Sequence, residues 1–392
     1  MTARLSEELV ARYGDQVTVF TTVARNIDYF WGGDPTALPV GVEVINGVSV
    51  RRFPVFNRLN RLRWFASGVG YRLKLPFNDY LRSWETGPFV PGLGRAIRES
   101  GAEVIFATAF PLWHMFITLR AAKAAGIPLV FLGALHLDDA WGYDRPMILR
   151  AIQQADAYIA HTEYERDYLL QKGVISADKI HIIGGGVDLE PYIHADGTEA
   201  RRSYGWGDAP VILALGKHVE RKRFDLLLEA MRIVWQSQPT ARVVIAGGRT
   251  QYSATLEALI RALPESTRRN VTLISDFADS QKAELLAASD IFVLPSGHES
   301  FGIALVEAWA ARKPVIGAHS GAIPAVIDEG QDGLLFEFPE AESLAAALLQ
   351  LLNHPEQRIE LGAAGLSKVH KQYTWEKVVA QVREVYEGVL SR

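Results

Sequence analysis

The chain contains no cysteine. Disulfides and thiolate-held metals are therefore excluded, which fits a reducing compartment. It also lacks a long hydrophobic run. The longest, Leu344 to Leu352 with one glutamine, falls well short of a membrane span. The opening MTARLSEELVARYG has no apolar stretch of signal-peptide length. Charge of one sign is not in excess either: the net charge of −4 gives no ground for a nucleic-acid partner. A cytoplasmic protein, able to touch a membrane only from the side, is the expectation.

What is present is ordinary globular material. Apolar residues make up 48% and charged residues 22% of 392 residues, enough for two or three domains with real cores. Strand-like apolar runs alternate with helical patterns, the mark of parallel α/β units. In the second half the strands are expected at Val211–Leu215, Arg242–Ala246, Val271–Ile274, Ile291–Leu294, Pro314–Ala318 and Leu334–Phe338. In the first half they are expected at Gln16–Thr21, Val48–Phe53, Glu103–Ala107, Pro128–Leu132 and Ala157–His161. Their near-continuous Val, Ile, Leu and Ala suit sheets covered on both faces.

Thr162 and Glu165 have capping-box spacing at a helix start. Gly184-Gly185-Gly186, followed by the polar stretch 195–208, suits a hinge or a turn with positive φ. The expected architecture is α/β, with two doubly wound domains facing a cleft. An N-terminal domain takes residues 1–190 and a C-terminal domain residues 207–370. A last helix, about 374–392, is free to pack back on the first domain. A doubly wound domain ordinarily opens with a strand and a glycine-rich turn. Here a helix, Leu5–Tyr13, follows Met1 at once. The first strand of the N-terminal domain is expected to be lacking, either through a truncated or mis-started chain, the favoured reading, or because this domain is built differently.

The most informative stretch is His298-Glu299-Ser300-Phe301-Gly302-Ile303-Ala304-Leu305-Val306-Glu307, directly after the strand Ile291–Leu294. A strand-to-helix junction offers unpaired N–H groups and partial positive charge, which suits a phosphate. Gly302 lets the backbone approach a ligand. Glu299 and Glu307 lie on the order of 10 Å apart along the axis, right for gripping two ends of an extended ligand. A solvated helix with capping acids would explain either glutamate alone. The combination with Phe-Gly and the preceding strand is what points to a site.

A second element, Gly216-Lys217-His218-Val219-Glu220-Arg221-Lys222, follows the first strand of that half. Lys217, Arg221 and Lys222 place cations where a diphosphate needs neutralising. Gly247-Gly248 closes the next strand. Ser275-Asp276-Phe277 follows the third, where backbone and ring can frame a base.

These motifs, in this order, resemble glycosyltransferase family 4, the "group 1" glycosyltransferases of GT-B architecture. Thr162-Glu163-Tyr164-Glu165-Arg166, Ile183 to Asp188, Gly216 to Ala230, Pro295 to Glu307, Ser320 to Pro324 and Asp332 to Leu335 carry the resemblance. It implies a retaining transfer of a hexose from a nucleotide sugar to a glycan, lipid-linked or small-molecule acceptor. No bound metal and no cofactor are implied, and UDP-, GDP- and ADP-linked donors are equally open. Glu299 would hold donor hydroxyls and Glu307 the ribose. Arg221 or Lys222, with Lys217, would stabilise the leaving diphosphate. The N–H groups around Ser300, Phe301, Gly302 and Ile303 would assist, with Gly216, Asp276 and Phe277 lining the donor. The chain departs from the family at Lys217, where arginine is usual, and at Gly185, where asparagine is usual.

In the first half, His136 stands where the family often has a histidine facing the reacting centre; a structural histidine fits equally well. Asp138-Asp139 is read as a polar loop, not a metal pair. Between Arg51 and Trp84 lie Arg51, Arg52, Arg58, Arg61, Arg63, Arg72, Lys74 and Arg82 against a single acid, Asp79, with Trp64, Phe65, Tyr71, Phe77 and Trp84 interleaved. Such a segment can rest on the anionic inner face of a membrane, bind a phosphorylated lipid-linked acceptor, or be a solvated flap with its aromatics in the core. Two other functions remain open: a non-catalytic sugar-nucleotide binder, and another GT-B enzyme such as an epimerase. Oligomeric state is not readable.

Overall fold

A computed structural model describes all residues except 33–35, 138 and 140. The chain divides into two compact units. Unit 1 is Met1–Ile183 with Val378–Arg392, and unit 2 is Gly184–Lys377.

In unit 2 the strands are β8 (Val211–Leu215), β9 (Arg242–Gly247), β10 (Val271–Ser275), β11 (Ile291–Leu294), β12 (Val315–Ala318) and β13 (Gly333–Phe336). They form one parallel sheet in the order β10-β9-β8-β11-β12-β13. Every residue of β8, β11 and β12 is buried, as a sheet sandwiched between helices requires. Alternate residues serve opposite cores. Ile212 and Ala214 join one cluster, while Val211, Leu213 and Leu215 join the other. Each Val, Leu or Ile so buried contributes roughly 1.5–3 kcal/mol of transfer free energy. The first cluster is closed by α10 (Phe224–Val234), α11 (Ser253–Arg261) and α15 (Ala341–Asn353). The second is closed mainly by α13 (Asp279–Ala288) and α14 (Ile303–Ala310). Short helices α8 (Glu190–Ile193), α9 (Thr198–Ser203) and α12 (Glu265–Arg268), and the longer α16 (Pro355–Lys368), complete the unit.

Unit 1 is built in two pieces. Strands β4 (Ile105–Thr108), β5 (Leu129–Leu132), β6 (Ala157–Ala160) and β7 (Ile180–Ile182) form a parallel sheet in chain order. Strands β1 (Thr18–Thr22), β2 (Gly41–Ile45) and β3 (Val48–Phe53) form a separate sheet, β1-β3-β2, with β1 parallel and β2 antiparallel to β3. Among the described residues no strand joins the two. The helices are α1 (Thr2–Tyr13), α2 (Asn60–Arg72), α3 (Asn78–Thr86), α4 (Leu93–Arg98), α5 (Trp113–Ala125), α6 (Pro146–Gln153) and α7 (Glu163–Gln171). The last helix, α17 (Trp375–Leu390), belongs to unit 1 from Val378 onward, with Tyr386 edge-on to Phe106 at 6.2 Å.

Strands β2 and β7 were not expected. β2 is exposed along its whole length, so it has no buried face to print a period-two pattern. β7 has three residues, too few to show one. The unit boundary falls at the triple glycine, between Ile183 and Gly184, but its positive-φ alternative and one helix cap are corrected. None of Gly184, Gly185 and Gly186 has positive φ. They are glycines because a Cβ would collide: with Tyr373 at 2.6 Å, Ile303 at 2.9 Å and Trp375 at 2.6 Å respectively. The capping box at Thr162 does not form either. The Thr162 hydroxyl is buried without a partner. Glu165 instead accepts from the backbone N–H groups of His161 (3.1 Å) and Leu135 (3.1 Å) and from the Tyr158 hydroxyl (2.6 Å). Burial pushes the Glu165 carboxyl up, against the pull of those donors.

Candidate functional site

In the strand order of unit 2, the direction in which successive parallel strands are added reverses between β8 and β11. β9 and β10 are laid down on one side of β8, then β11 starts the other. Loops at the carboxyl ends of those two strands diverge and leave a crevice, where open parallel sheets bind ligands. The loop 216–222 leaves β8 and the loop 295–302 leaves β11. The sheet thus brings together residues far apart in sequence. Lys222 Nζ donates to Glu299 Oε1 at 2.5 Å, with both side chains mostly buried. Arg221 Nη1 donates to the His298 carbonyl at 3.4 Å, and Ser296 Oγ to the Arg221 carbonyl at 3.0 Å. Arg221 itself is exposed, as is Lys217.

Gly302 caps α14 with φ 84. A Cβ there would meet Ile323 at 3.0 Å and Leu294 at 3.1 Å, so conformation and space both select glycine. The turn leaves the first N–H groups of α14 without intrahelical partners, a ready anion seat. Ser300 is half-buried and Ile303 is exposed at this junction. The Phe301 side chain faces the second core cluster. It is buried edge-on against Tyr373 at 5.5 Å, so only its backbone remains for a ligand.

Glu307 accepts from Lys282 Nζ at 2.8 Å. The Tyr192 hydroxyl also bonds it, and burial with that carboxylate raises the Tyr192 pKa. Neither partner was expected. Lys282 lies in α13 and Tyr192 in α8, and the packing of α8 against both α13 and α14 brings them to Glu307.

The remaining loops support the crevice. Gly247 lies so close to Gly216 that a Cβ would sit 1.7 Å from the Gly216 carbonyl. His218 is fully buried. It donates its backbone N–H to Gly248 O at 2.9 Å and sets Nδ1 3.1 Å from Ser253 Oγ. Asp276 has φ 53, and its carboxylate accepts from the Arg249 N–H at 2.8 Å. It therefore ties the loop after β9 to the loop after β10. Phe277 is half-buried against the second core cluster.

His136 belongs to unit 1. It follows β5, half-buried, its ring 5.4 Å from Tyr143. Its loop is held by Glu165, as described above. Asp138 lies outside the described residues. Asp139 accepts from the Gly142 N–H at 2.8 Å and closes a turn. Among the described residues no group of three or more His, Asp or Glu is placed to hold a metal.

A six-stranded Rossmann unit and a second parallel α/β unit define the two-unit GT-B class. Residues 196–368 match the model for glycosyl transferases group 1, and residues 1–191 that for glycosyltransferase family 4. The chain belongs to this glycosyltransferase family. It is 31% identical over 255 residues to the D-inositol 3-phosphate glycosyltransferase of Kineococcus radiotolerans, covering 60% of this chain and 58% of that one. It is 28% identical over 299 residues to the GDP-mannose-dependent monoacylated alpha-(1-6)-phosphatidylinositol monomannoside mannosyltransferase of Corynebacterium glutamicum, covering 72% and 76%. Against several of the inositol-phosphate relatives the chain spans only 54% to 59% of their length. In fold it is similar to sucrose-phosphate synthase from Thermosynechococcus elongatus, with TM-score 0.75, 20% identity, and 100% and 92% of the two chains covered. It is likewise similar to Anabaena HepE solved with UDP, with TM-score 0.74, 18% identity and coverage of 99% and 96%.

Proposed function

We propose that the chain transfers a hexose from a nucleotide sugar to a glycan, lipid-linked or small-molecule acceptor, with retention and without a bound metal. Unit 2 holds the donor and unit 1 the acceptor. The observation that carries this reading is the Lys222–Glu299 pair, 2.5 Å apart and largely out of water, at the carboxyl ends of β8 and β11. A cation and a carboxylate fixed side by side answer the two halves of a sugar nucleotide. Lys222, with Arg221 and Lys217, takes the diphosphate; Glu299 takes hexose hydroxyls. As the bond from the anomeric carbon to the diphosphate oxygen breaks, its electrons pass to the diphosphate, and the cations and α14 N–H groups stabilise that charge. The acceptor hydroxyl adds on the face the diphosphate leaves and passes its proton to the departing diphosphate oxygen. Glu307, now held by Lys282 and Tyr192, takes the ribose hydroxyls. His136 lines the acceptor side.

One relative's name specifies GDP-mannose and one neighbour was solved with UDP, so both nucleotides belong in the test. The reaction is placed in the cytoplasm, at the inner face of the membrane where the acceptor is lipid-linked. Glu299→Gln is expected to lower turnover by about 10²–10³, read as nucleotide release from a panel of sugar nucleotides. Unchanged turnover would sink the assignment. A second reading, sugar-nucleotide binding without turnover, draws on the divided sheet of unit 1. It predicts donor-dependent thermal stabilisation, roughly 2.7 kcal/mol at a hundredfold excess over Kd, with no product.

A further inference from the structure

Helix α2 is inside out. Its buried residues are Arg63, Ser67 and Gly70, at i, i+4 and i+7. Its outward residues include Leu62 (53% exposed), Trp64 (70%) and Phe65 (63%). A water-soluble helix ordinarily does the reverse. The helix is also held in this rotation. The Arg63 guanidinium stacks 5.0 Å from the Phe89 ring and donates from Nη2 to the Phe30 carbonyl at 3.4 Å. Gly70 lets α3 approach so closely that a Cβ would meet Leu81 at 2.5 Å. Rolling Trp64 inward would break both contacts. The apolar surface continues beyond the helix through Leu73, Phe77 and Tyr80, all exposed.

Cations lie in the same stretch. Arg58, Arg61, Arg72 and Lys74 are exposed. Its single acid, Asp79, is already spent inward, on Arg145 Nε at 2.5 Å and the Met147 N–H at 2.7 Å. The face therefore combines exposed aromatics with uncompensated positive charge, the pairing that suits a headgroup boundary with anionic lipid. A second copy of the chain fits less well, because a two-fold contact would set the same cations against each other.

We propose that α2 and the turn after it, residues 58–80, seat the protein on an anionic lipid surface, with Trp64 and Phe65 entering the boundary. This goes beyond the donor reading and does not rest on it. The full chain is sedimented with vesicles of equal parts phosphatidylcholine and phosphatidylglycerol, and with phosphatidylcholine alone. Binding to the anionic vesicles, weakening with salt, is expected, with little to the neutral ones. Trp64→Ala with Phe65→Ala should lower the partition coefficient at least about tenfold. Arg61→Glu with Lys74→Glu should lower it by a comparable factor. All four positions are exposed, and an unchanged thermal midpoint for each variant confirms that it has folded. The proposal is overturned if the chain ignores anionic vesicles, if it binds neutral ones equally, or if light scattering shows a dimer that Trp64→Ala dissolves.

Discussion

Helices α2 and α14 each carry a tryptophan among apolar residues and do opposite things with it. α14 reads IALVEAWA, and it buries Leu305, Val306 and Trp309 against the sheet of unit 2. α2 reads NRLRWFASGVGYR, and it turns Leu62, Trp64 and Phe65 to solvent while burying an arginine. Aromatic content alone therefore says nothing about which way a helix faces. The partner decides: a six-stranded apolar sheet for α14, and the glycine-tight contact with α3 plus an arginine–phenylalanine stack for α2.

The largest effect should come from removing the matched tryptophans. Trp309 is wholly buried, and its indole N–H donates to the Asp332 carbonyl at 2.8 Å. Trp309→Ala should destabilise unit 2 by about 3–5 kcal/mol, read by hydrogen exchange of β11 and β12. Trp64→Ala should stay within about 0.5 kcal/mol in unit 1. Equal losses would mean that α2 packs like an ordinary core helix.

The glycines sharpen the contrast at a smaller scale. Gly302→Ala forces a side chain into φ 84 and against Ile323 at 3.0 Å, so a loss of about 1–3 kcal/mol is expected, with weaker nucleotide binding. Gly68 in α2 has nothing within 4 Å, and Gly68→Ala should stabilise unit 1 by up to about 1 kcal/mol. Urea titration followed unit by unit would show the opposite signs.

The smallest effect is pH-dependent and belongs to unit 1. Burial depresses the imidazole pKa of both His114 and His161 below the ordinary 6.5. The unfolded chain takes a proton on each ring near that value, and the folded unit refuses it until lower pH. The stabilisation is therefore whole above pH 6.5 and lost as pH falls toward the folded values. His114→Gln should flatten the acid limb of the stability curve of unit 1; an unaltered limb would remove His114 from the account.

How much was legible follows the same division. In unit 2 every strand could be placed from its apolar run, most plainly β8, β11 and β12, which are buried on both faces and show no competing pattern. In unit 1 the exposed β2 and the three-residue β7 left no such trace. The candidate site was legible as parts. Glu299, Gly302 and Glu307 announced themselves within one stretch, and Lys217 to Lys222 within another. The Phe301 N–H was legible at the helix start, whereas the burial of its ring against Tyr373 was not. Lys282 and Tyr192 carried no local signal, since a lysine in an amphipathic helix looks the same whether or not a glutamate waits across the groove.

The sequence by itself determined the class: alternating apolar strands and helices, and a glycine between a strand and a helix flanked by two glutamates, because these are local properties of consecutive residues. The tertiary structure alone decided which charges meet and which faces stay bare. Lys222 reaches Glu299 across a separation of 77 residues because the strand order sets β8 beside β11. Trp64 stays in solvent because α3 and Phe89 occupy the other side of its helix. Both outcomes depend on which surfaces come together in space, and no window of consecutive residues contains that information.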